Sequence, residues 1–382
     1  MMCKRCILVP EIHGDVTLDA DGVCNYCTAY ELIREELNDR PAMEARLRER
    51  LEQAKRKRVE NEAEYDCIVP VSGGKDSSYL ILKLSRAFDV KLLAVSGFTE
   101  YTNPQARENV ERVCRHFGVD CRFVRGWEAG ELKFARQLFL DIGTVCPACL
   151  GVFARIVMVG QELRVPAVIM GDSRDQMFDG NPTLTALGIR KGHRDNTLEY
   201  GEREHWWANT YSKIFAALTR LAGQTLSGDR QACDAVTAPY RQVAAGSIPD
   251  FIPFYFFMGH NEIQMVRELE EVGWKNLDRG LLGHPDCRFQ LFSRDPVGQS
   301  RSLGVYIREG VLSRQQAVKE LIRDLDANVA RDEEKLLEDA AKVVGLQRAD
   351  LTGCAWLEVK KPQMKELARR FLAMLRAMPE AQ

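Results

Sequence analysis

The sequence predicts a doubly wound parallel α/β sheet, preceded by a small four-cysteine knuckle and followed by a mostly helical C-terminal region. Three observations predict it. A buried strand, a glycine turn and a helix follow one another through Cys67–Phe88; strands and helices then alternate as far as Met170; and two Cys-x-x-Cys pairs open the chain. Alternation of this kind builds right-handed βαβ crossovers, with ligands held at the carboxyl ends of the strands. The 382 residues suffice for two or three structural units. The expected boundaries are a knuckle at 1–30, a charged helical linker at 31–64, an α/β domain at 65–180 and a helical substrate or partner region at 181–382.

With 45% hydrophobic and 28% charged residues the chain falls in the globular range, neither disordered nor fibrous. Its 53 Lys and Arg against 55 Asp and Glu argue against non-specific nucleic-acid binding as the main task, while leaving a local basic groove open. Apolar runs such as Phe251–Met258 are too short to span a bilayer, and MMCKRCILVP holds no signal-peptide apolar region. The expectation is a soluble, cytoplasmic protein without membrane contact.

Twelve cysteines are many for such a compartment, where disulfides are rare and paired thiols more often hold metal or do redox chemistry. Cys3-Lys-Arg-Cys6 and Cys24-Asn-Tyr-Cys27 each offer two thiolates from one turn. Together they supply the four soft ligands of a closed, structural zinc site. Between them, Val16, Leu18 and the turn Asp19-Ala-Asp-Gly22 predict a small hairpin. The stretch 28–64 predicts one or two amphipathic helices broken near Pro41; its run Lys55–Arg58 reads as a solvated face rather than a phosphate contact.

The most informative segment is 65–88. Cys67–Val71 reads as a strand, Ser72-Gly-Gly-Lys-Asp-Ser77 as a turn and Ser78–Phe88 as a helix. This layout turns backbone N–H groups and the positive end of a helix dipole toward an anion. Gly73 and Gly74 permit close approach, Lys75 supplies a cation, and Ser72 and Ser77 supply hydroxyls. The spacing does not fit the GxxxxGK[ST] loop. SGGKDS resembles instead the PP-loop of the N-type ATP pyrophosphatases, whose fold is of the adenine-nucleotide α-hydrolase type. The resemblance implies an ATP pyrophosphate on this loop, adenylation of a substrate oxygen, and a tie between Asp76 and the metal–pyrophosphate site.

Further strands are expected at Lys91–Ser96, Cys121–Val124 and Ala167–Met170, and helices at Pro104–Phe117, Glu128–Leu140 and Leu150–Leu163. Ser96-Gly97-Phe98 and Gly171-Asp172-Ser173 then converge with the loop at the carboxyl edge. Phe98 is a candidate adenine neighbour by position. Asp172 and Asp175 are candidates for Mg²⁺ or substrate, with helix capping by Asp172 or Ser173 as the plain alternative.

Cys146-Pro-Ala-Cys149 opens a helix, where thiolates are favoured. Cys233 and Cys287 are its distant candidate partners. Such a set resembles the three-cysteine, open-coordination [4Fe-4S] site of PP-loop tRNA thiolation enzymes; a structural or redox pair is the alternative. Cys67, Cys114 and Cys121 read as buried hydrophobes, and Cys354 has no identifiable partner.

The knuckle with Asp19-Ala-Asp-Gly-Val-Cys-Asn-Tyr-Cys27, the segment YDCIVPVSGGKDS and the segment Gly298–Ala317 together resemble the N-acetyl sugar amidotransferases of surface-polysaccharide biosynthesis. The match is good over residues 1–175 and loose over 290–330. It implies ATP activation of an acetamido oxygen and displacement by ammonia to an amidine, with ammonia from a separate glutaminase. Tyr306 stands where that family's pattern has a glutamate, and Gly171-Asp-Ser-Arg-Asp-Gln176 where it tends to have GEN. A PP-loop sulfur transferase is the rival reading, with tRNA the less favoured substrate on charge. A homodimer stays open. In the C-terminal part Val311–Asp326, Asp332–Val344 and Lys361–Met378 show helical periodicity, and His193, Arg194 and His205 are substrate candidates.

Overall fold

The computed structural model describes residues 1–99, 102–126, 128–172, 205–247, 249–276, 296–330, 337–338 and 341–378. Five parallel strands form the central sheet: β1 Cys67–Pro70, β2 Leu92–Phe98, β3 Asp120–Arg125, β4 Ala167–Met170 and β5 Asp250–Pro253, in the order β3-β2-β1-β4-β5. Register is set by pairs such as Ile68 with Leu93 and Val168, and Val168 with Phe251.

The helices in chain order are α1 Asn25–Glu31, α2 Arg34–Asn38, α3 Arg40–Glu60, α4 Lys75–Ala87, α5 Pro104–Phe117, α6 Ala129–Ile142, α7 Cys146–Glu162, α8 Trp206–Thr225, α9 Arg230–Ala245, α10 Phe254–Met258, α11 Glu262–Glu271, α12 Pro296–Arg308, α13 Arg314–Ala330 and α14 Lys361–Arg376. Strand alternation divides them into two layers. Leu92 and Ala94 join a core with Leu47, Leu80, Val110, Phe257 and Leu269, so α3, α4, α5, α10 and α11 cover one face. Leu93 and Val95 join Phe134, Val157, Phe215 and Val236 on the other face, under α6 to α9. From β1 the chain winds outward through α4 and α5, then recrosses through α6 and α7 to β4. The strand order therefore reverses between β1 and β4, where doubly wound sheets bind their ligands.

The doubly wound parallel sheet and the helical C-terminal region are as the sequence predicts, with three local differences. Helix α4 begins at Lys75, three residues before the expected start, because Gly74 is extended (φ −68°, ψ 170°) and serves as N-cap. This puts Lys75 and Asp76 on the helix rather than in the turn. A fifth strand, hidden in an apolar run, extends the sheet into the region expected to be helical. Between the two cysteine pairs there is a single antiparallel bridge, Leu18 with Cys24, because Asp19 Oδ1 accepts from the N–H groups of Asp21 and Val23 and closes a compact turn there.

The beginning and end of the chain share one core, in which Ile7, Val9 and Ile12 pack with Leu303, Leu312, Leu321, Phe371 and Leu375. His13 bridges them with Nε2 at 2.6 Å from Ser300 Oγ. The helices expected at 311–326 and 361–378 are α13 and α14, whereas most of 332–344 lies outside the described residues. Among the described residues no helix is long and apolar enough to cross a membrane.

Helix α3 is tied to β5 by a two-pronged ion pair, Arg50 Nη2 to Asp250 Oδ1 at 2.5 Å and Nε to Oδ2 at 3.2 Å, with both side chains largely covered. Replacing Arg50 by Met strands the carboxylate and is expected to cost about 2–4 kcal/mol. A urea titration measures the loss, and the double variant Arg50→Met, Asp250→Leu should recover most of it.

Candidate functional site

The loop after β1 is shaped by its two glycines. Gly73 has φ +82°, and a Cβ there would run into the carbonyl oxygen of Ala106 on α5. The Gly73 carbonyl accepts from Trp274 Nε1 at 3.0 Å and from Asn109 Nδ2 at 3.2 Å, so two distant elements pin the turn. Ser72 Oγ lies 3.2 Å from Ser77 Oγ and accepts from the Gly74 N–H at 3.3 Å, folding the loop back on itself. No side chain caps α4. The first N–H groups of any helix lack intrahelical acceptors, so its N-terminus is presented as an anion site.

Behind it lies a largely covered charged cluster, drawn from α4, α10, α11 and α12 and from the turn that carries His260. Lys75 Nζ is 3.2 Å from Asp76 Oδ2 and 3.3 Å from Glu262 Oε1. Asp76 Oδ1 is 2.5 Å from His260 Nε2. Tyr306 of α12 donates to Glu262 Oε1 at 2.5 Å, and Tyr255 donates to the Asp76 carbonyl at 2.6 Å. Burial alone would raise the Asp76 pKa, yet Lys75 and His260 overcome it and hold the carboxyl well below its usual range. Burial works against charge on His260 too, but the Asp76 carboxylate pushes its pKa up. Glu262 is pushed up by burial, with Lys75 and His260 opposing. Burial also holds the Tyr255 phenol well above its normal value, so it stays a donor.

The remaining predicted residues fall around this centre. A Cβ at Gly171 would touch the backbone of Ser77, so the end of β4 lies against the loop, with Asp172 next in line. Ser96 is buried at the end of β2. The Phe98 ring packs edge-on against Phe123 and under the Arg107 guanidinium, 4.8 Å from the ring centre. Ser173, Asp175, His193 and Arg194 lie outside the described residues; His205 is exposed just ahead of α8.

The four knuckle cysteines come together as the spacing predicts. Their sulfurs lie within 4.8 Å of one another, with Cys6–Cys24 at 3.6 Å and Cys3–Cys27 at 3.9 Å. Metal–sulfur bonds of about 2.3 Å in a tetrahedron require sulfur separations of about 3.8 Å, so the cage fits a zinc-sized ion. Backbone N–H groups of Arg5, Cys6 and Cys24 point at Cys3 Sγ. Hydrogen bonds from the neighbouring thiols, Cys24 first, pull Cys3 toward the thiolate. Arg314 donates to the carbonyls of Cys6 and Cys3 at 3.0 and 3.2 Å, fastening the knuckle to α13.

Cys146 and Cys149 open α7. Val152, one turn on from Cys149, meets Gly97 and Gly126 at the ends of β2 and β3, so both cysteines stand at the carboxyl end of the strands, the end at which the loop lies, though α7 covers the opposite face from α4. Cys149 and Cys233 pack against the larger core, and Cys287 lies outside the described residues. Among the described residues only the knuckle brings three or more ligand atoms within 4.8 Å of one another. Cys67 and Cys114 are buried and Cys121 half-buried.

Sequence reading missed His260, Glu262, Tyr255, Trp274 and Asn109. The available signal was Gly259-His-Asn-Glu262, a glycine turn with an Asn cap that opens a helix, here between α10 and α11.

No family model matches this chain, and no curated protein matches it. Among solved structures it is similar to the U34-tRNA thiolase NcsA from Methanococcus maripaludis with its [4Fe-4S] cluster, at 11% identity and a TM-score of 0.26, covering 65% of this chain and 90% of that one. At that score the likeness records similarity only, and the fold rests on the strand order and register given above.

Two outcomes are expected. Gly73→Ala forces a left-handed backbone onto alanine, which costs about 1–2 kcal/mol before the clash with Ala106 is counted; a urea titration should show a loss of stability of at least that size. Chelation under reducing conditions should release one metal ion per chain, expose four additional reactive thiols and lower the thermal midpoint by several degrees.

Proposed function

We propose that this protein is an ATP-dependent, AMP- and pyrophosphate-forming enzyme that adenylates an oxygen of its acceptor. The observation that carries the reading is the uncapped N-terminus of α4 at the topological switch point, with Lys75 and Asp76 in its first turn and Gly171 against Ser77. A nucleoside triphosphate laid there meets backbone N–H groups and one ammonium. An acceptor oxygen attacks the α-phosphorus, the bond to the bridging oxygen breaks, and pyrophosphate leaves with its growing negative charge against Lys75 and the helix N-terminus. Mg²⁺ bound with the nucleotide would offset further phosphate charge. In the second step a nucleophile displaces AMP from the activated carbon.

Nitrogen transfer to an N-acetyl sugar is the reading we favour for that step. Its support is the resemblance carried by the knuckle, the loop and segment 298–317, together with the entry of that segment into the site through Tyr306. In this reading a glutaminase partner supplies ammonia, and the knuckle zinc is structural. Sulfur transfer is the second reading, because Cys146 and Cys149 stand at the same carboxyl end of the strands as the loop.

The test is product formation from ATP with candidate acceptors. Nitrogen transfer predicts AMP and pyrophosphate with a nucleotide-activated N-acetyl sugar plus ammonia, a colourless protein, and a rate reduced at least a hundredfold by Lys75→Ala. Brown protein with absorbance near 400 nm that Cys146→Ala abolishes would instead support sulfur transfer.

A further inference from the structure

We propose that His260 is a positioning residue that keeps the Asp76 carboxylate from capping its own helix, so that the N-terminus of α4 stays available to a pyrophosphate. The inference rests on reading this loop as the nucleotide site.

An aspartate in the first turn of a helix is well placed to accept from that turn's own N–H groups and is drawn there by the helix dipole. In an anion-binding loop such self-capping would compete with the ligand for the donors that bind it. Here the Asp76 side chain accepts from Lys75 and from His260 and, among the described residues, from no backbone N–H. One carboxylate oxygen faces each partner, so the group is fixed from two sides.

The anchor itself cannot swing. The His260 side chain is 1% exposed, its ring stacks on Tyr306 at 6.0 Å with an 11° tilt, and Tyr255 meets it edge-on at 5.1 Å. Those two tyrosines also carry hydrogen bonds into the cluster, Tyr306 to Glu262 and Tyr255 to the Asp76 carbonyl. Glu262 in turn faces Lys75, so the cation is held near the loop mouth by carboxylates on two helices. One of the two restraints on Asp76, His260, thus comes from 184 positions away in sequence, a distance at which no local pattern could supply it.

The experiment compares His260→Leu, which keeps volume and removes the donor, with His260→Gln, whose amide nitrogen can replace Nε2. Binding of inorganic pyrophosphate, Mg·ATP and AMP is measured by calorimetry on the full chain, with thermal midpoints recorded. A charge-assisted hydrogen bond of this kind sets the expected scale. His260→Leu should weaken pyrophosphate and Mg·ATP alike by about tenfold to a hundredfold, leave AMP unchanged, and be rescued in large part by His260→Gln. Proton NMR of the wild type should show a far-downfield imidazole N–H that moves upfield in Asp76→Asn, a check that needs no nucleotide and survives if His260→Leu fails to fold. Wild-type protein that binds neither pyrophosphate nor Mg·ATP would overturn the adenylation reading and this inference with it. Wild-type binding that His260→Leu leaves intact, a loss that His260→Gln does not restore, or the lack of the downfield resonance overturns this inference alone.

Discussion

A half-buried carboxylate beside a helix N-terminus is the constraint around which this molecule is arranged. Asp76 lies where burial disfavours its charge, and an unpaired ion there would cost several kcal/mol. The fold answers with Lys75 from the same turn and His260 from a segment beyond the fifth strand. Glu262 adds a second acid, which is balanced by Lys75 and hydrogen-bonded by Tyr306. Two acids and two bases thus meet at one point, drawn from α4, from the turn before α11 and from α11 itself, with Tyr306 of α12 hydrogen-bonded to Glu262.

That arrangement also involves the chain's two ends, which fold onto each other. Helix α12 presents Tyr306 to the site, while its other contacts reach the knuckle: Ser300 meets His13, Arg301 pairs with Asp15 and Tyr26, and Gly304 lies under Leu8. Arg314 at the start of α13 completes the attachment by bonding the Cys3 and Cys6 carbonyls. The knuckle is therefore a brace for the helix that carries Tyr306, which ties the four-thiol cage to the glycine loop.

Local patterns were legible wherever one stretch of chain holds all the parties. The cysteine pairs are each a single turn, and the glycine loop is bounded by the strand and helix it joins, so both could be read directly. Strands β1 to β4 could be read from short apolar runs flanked by helical periodicity. β5 could not, because Phe251–Met258 is continuously apolar and strand and helix look alike in such a run. Losing that strand hid the turn behind it, and with it His260 and Glu262. Trp274 and Asn109 were hidden for another reason: each acts by donating to one backbone carbonyl, that of Gly73, and nothing in a side chain's identity announces such a bond.

The sequence by itself determined the strand–glycine–helix loop, the four-thiolate knuckle and the parallel alternation, because each depends on neighbours within a few turns of chain. Tertiary structure alone decided which distant groups balance Lys75 and Asp76, that Tyr306 enters the site, and that Cys146 and Cys149 stand at the loop's end of the strands. The physical reason is that burying a charge demands a partner but does not specify where in the chain that partner comes from. Packing of the sheet's two faces makes that choice.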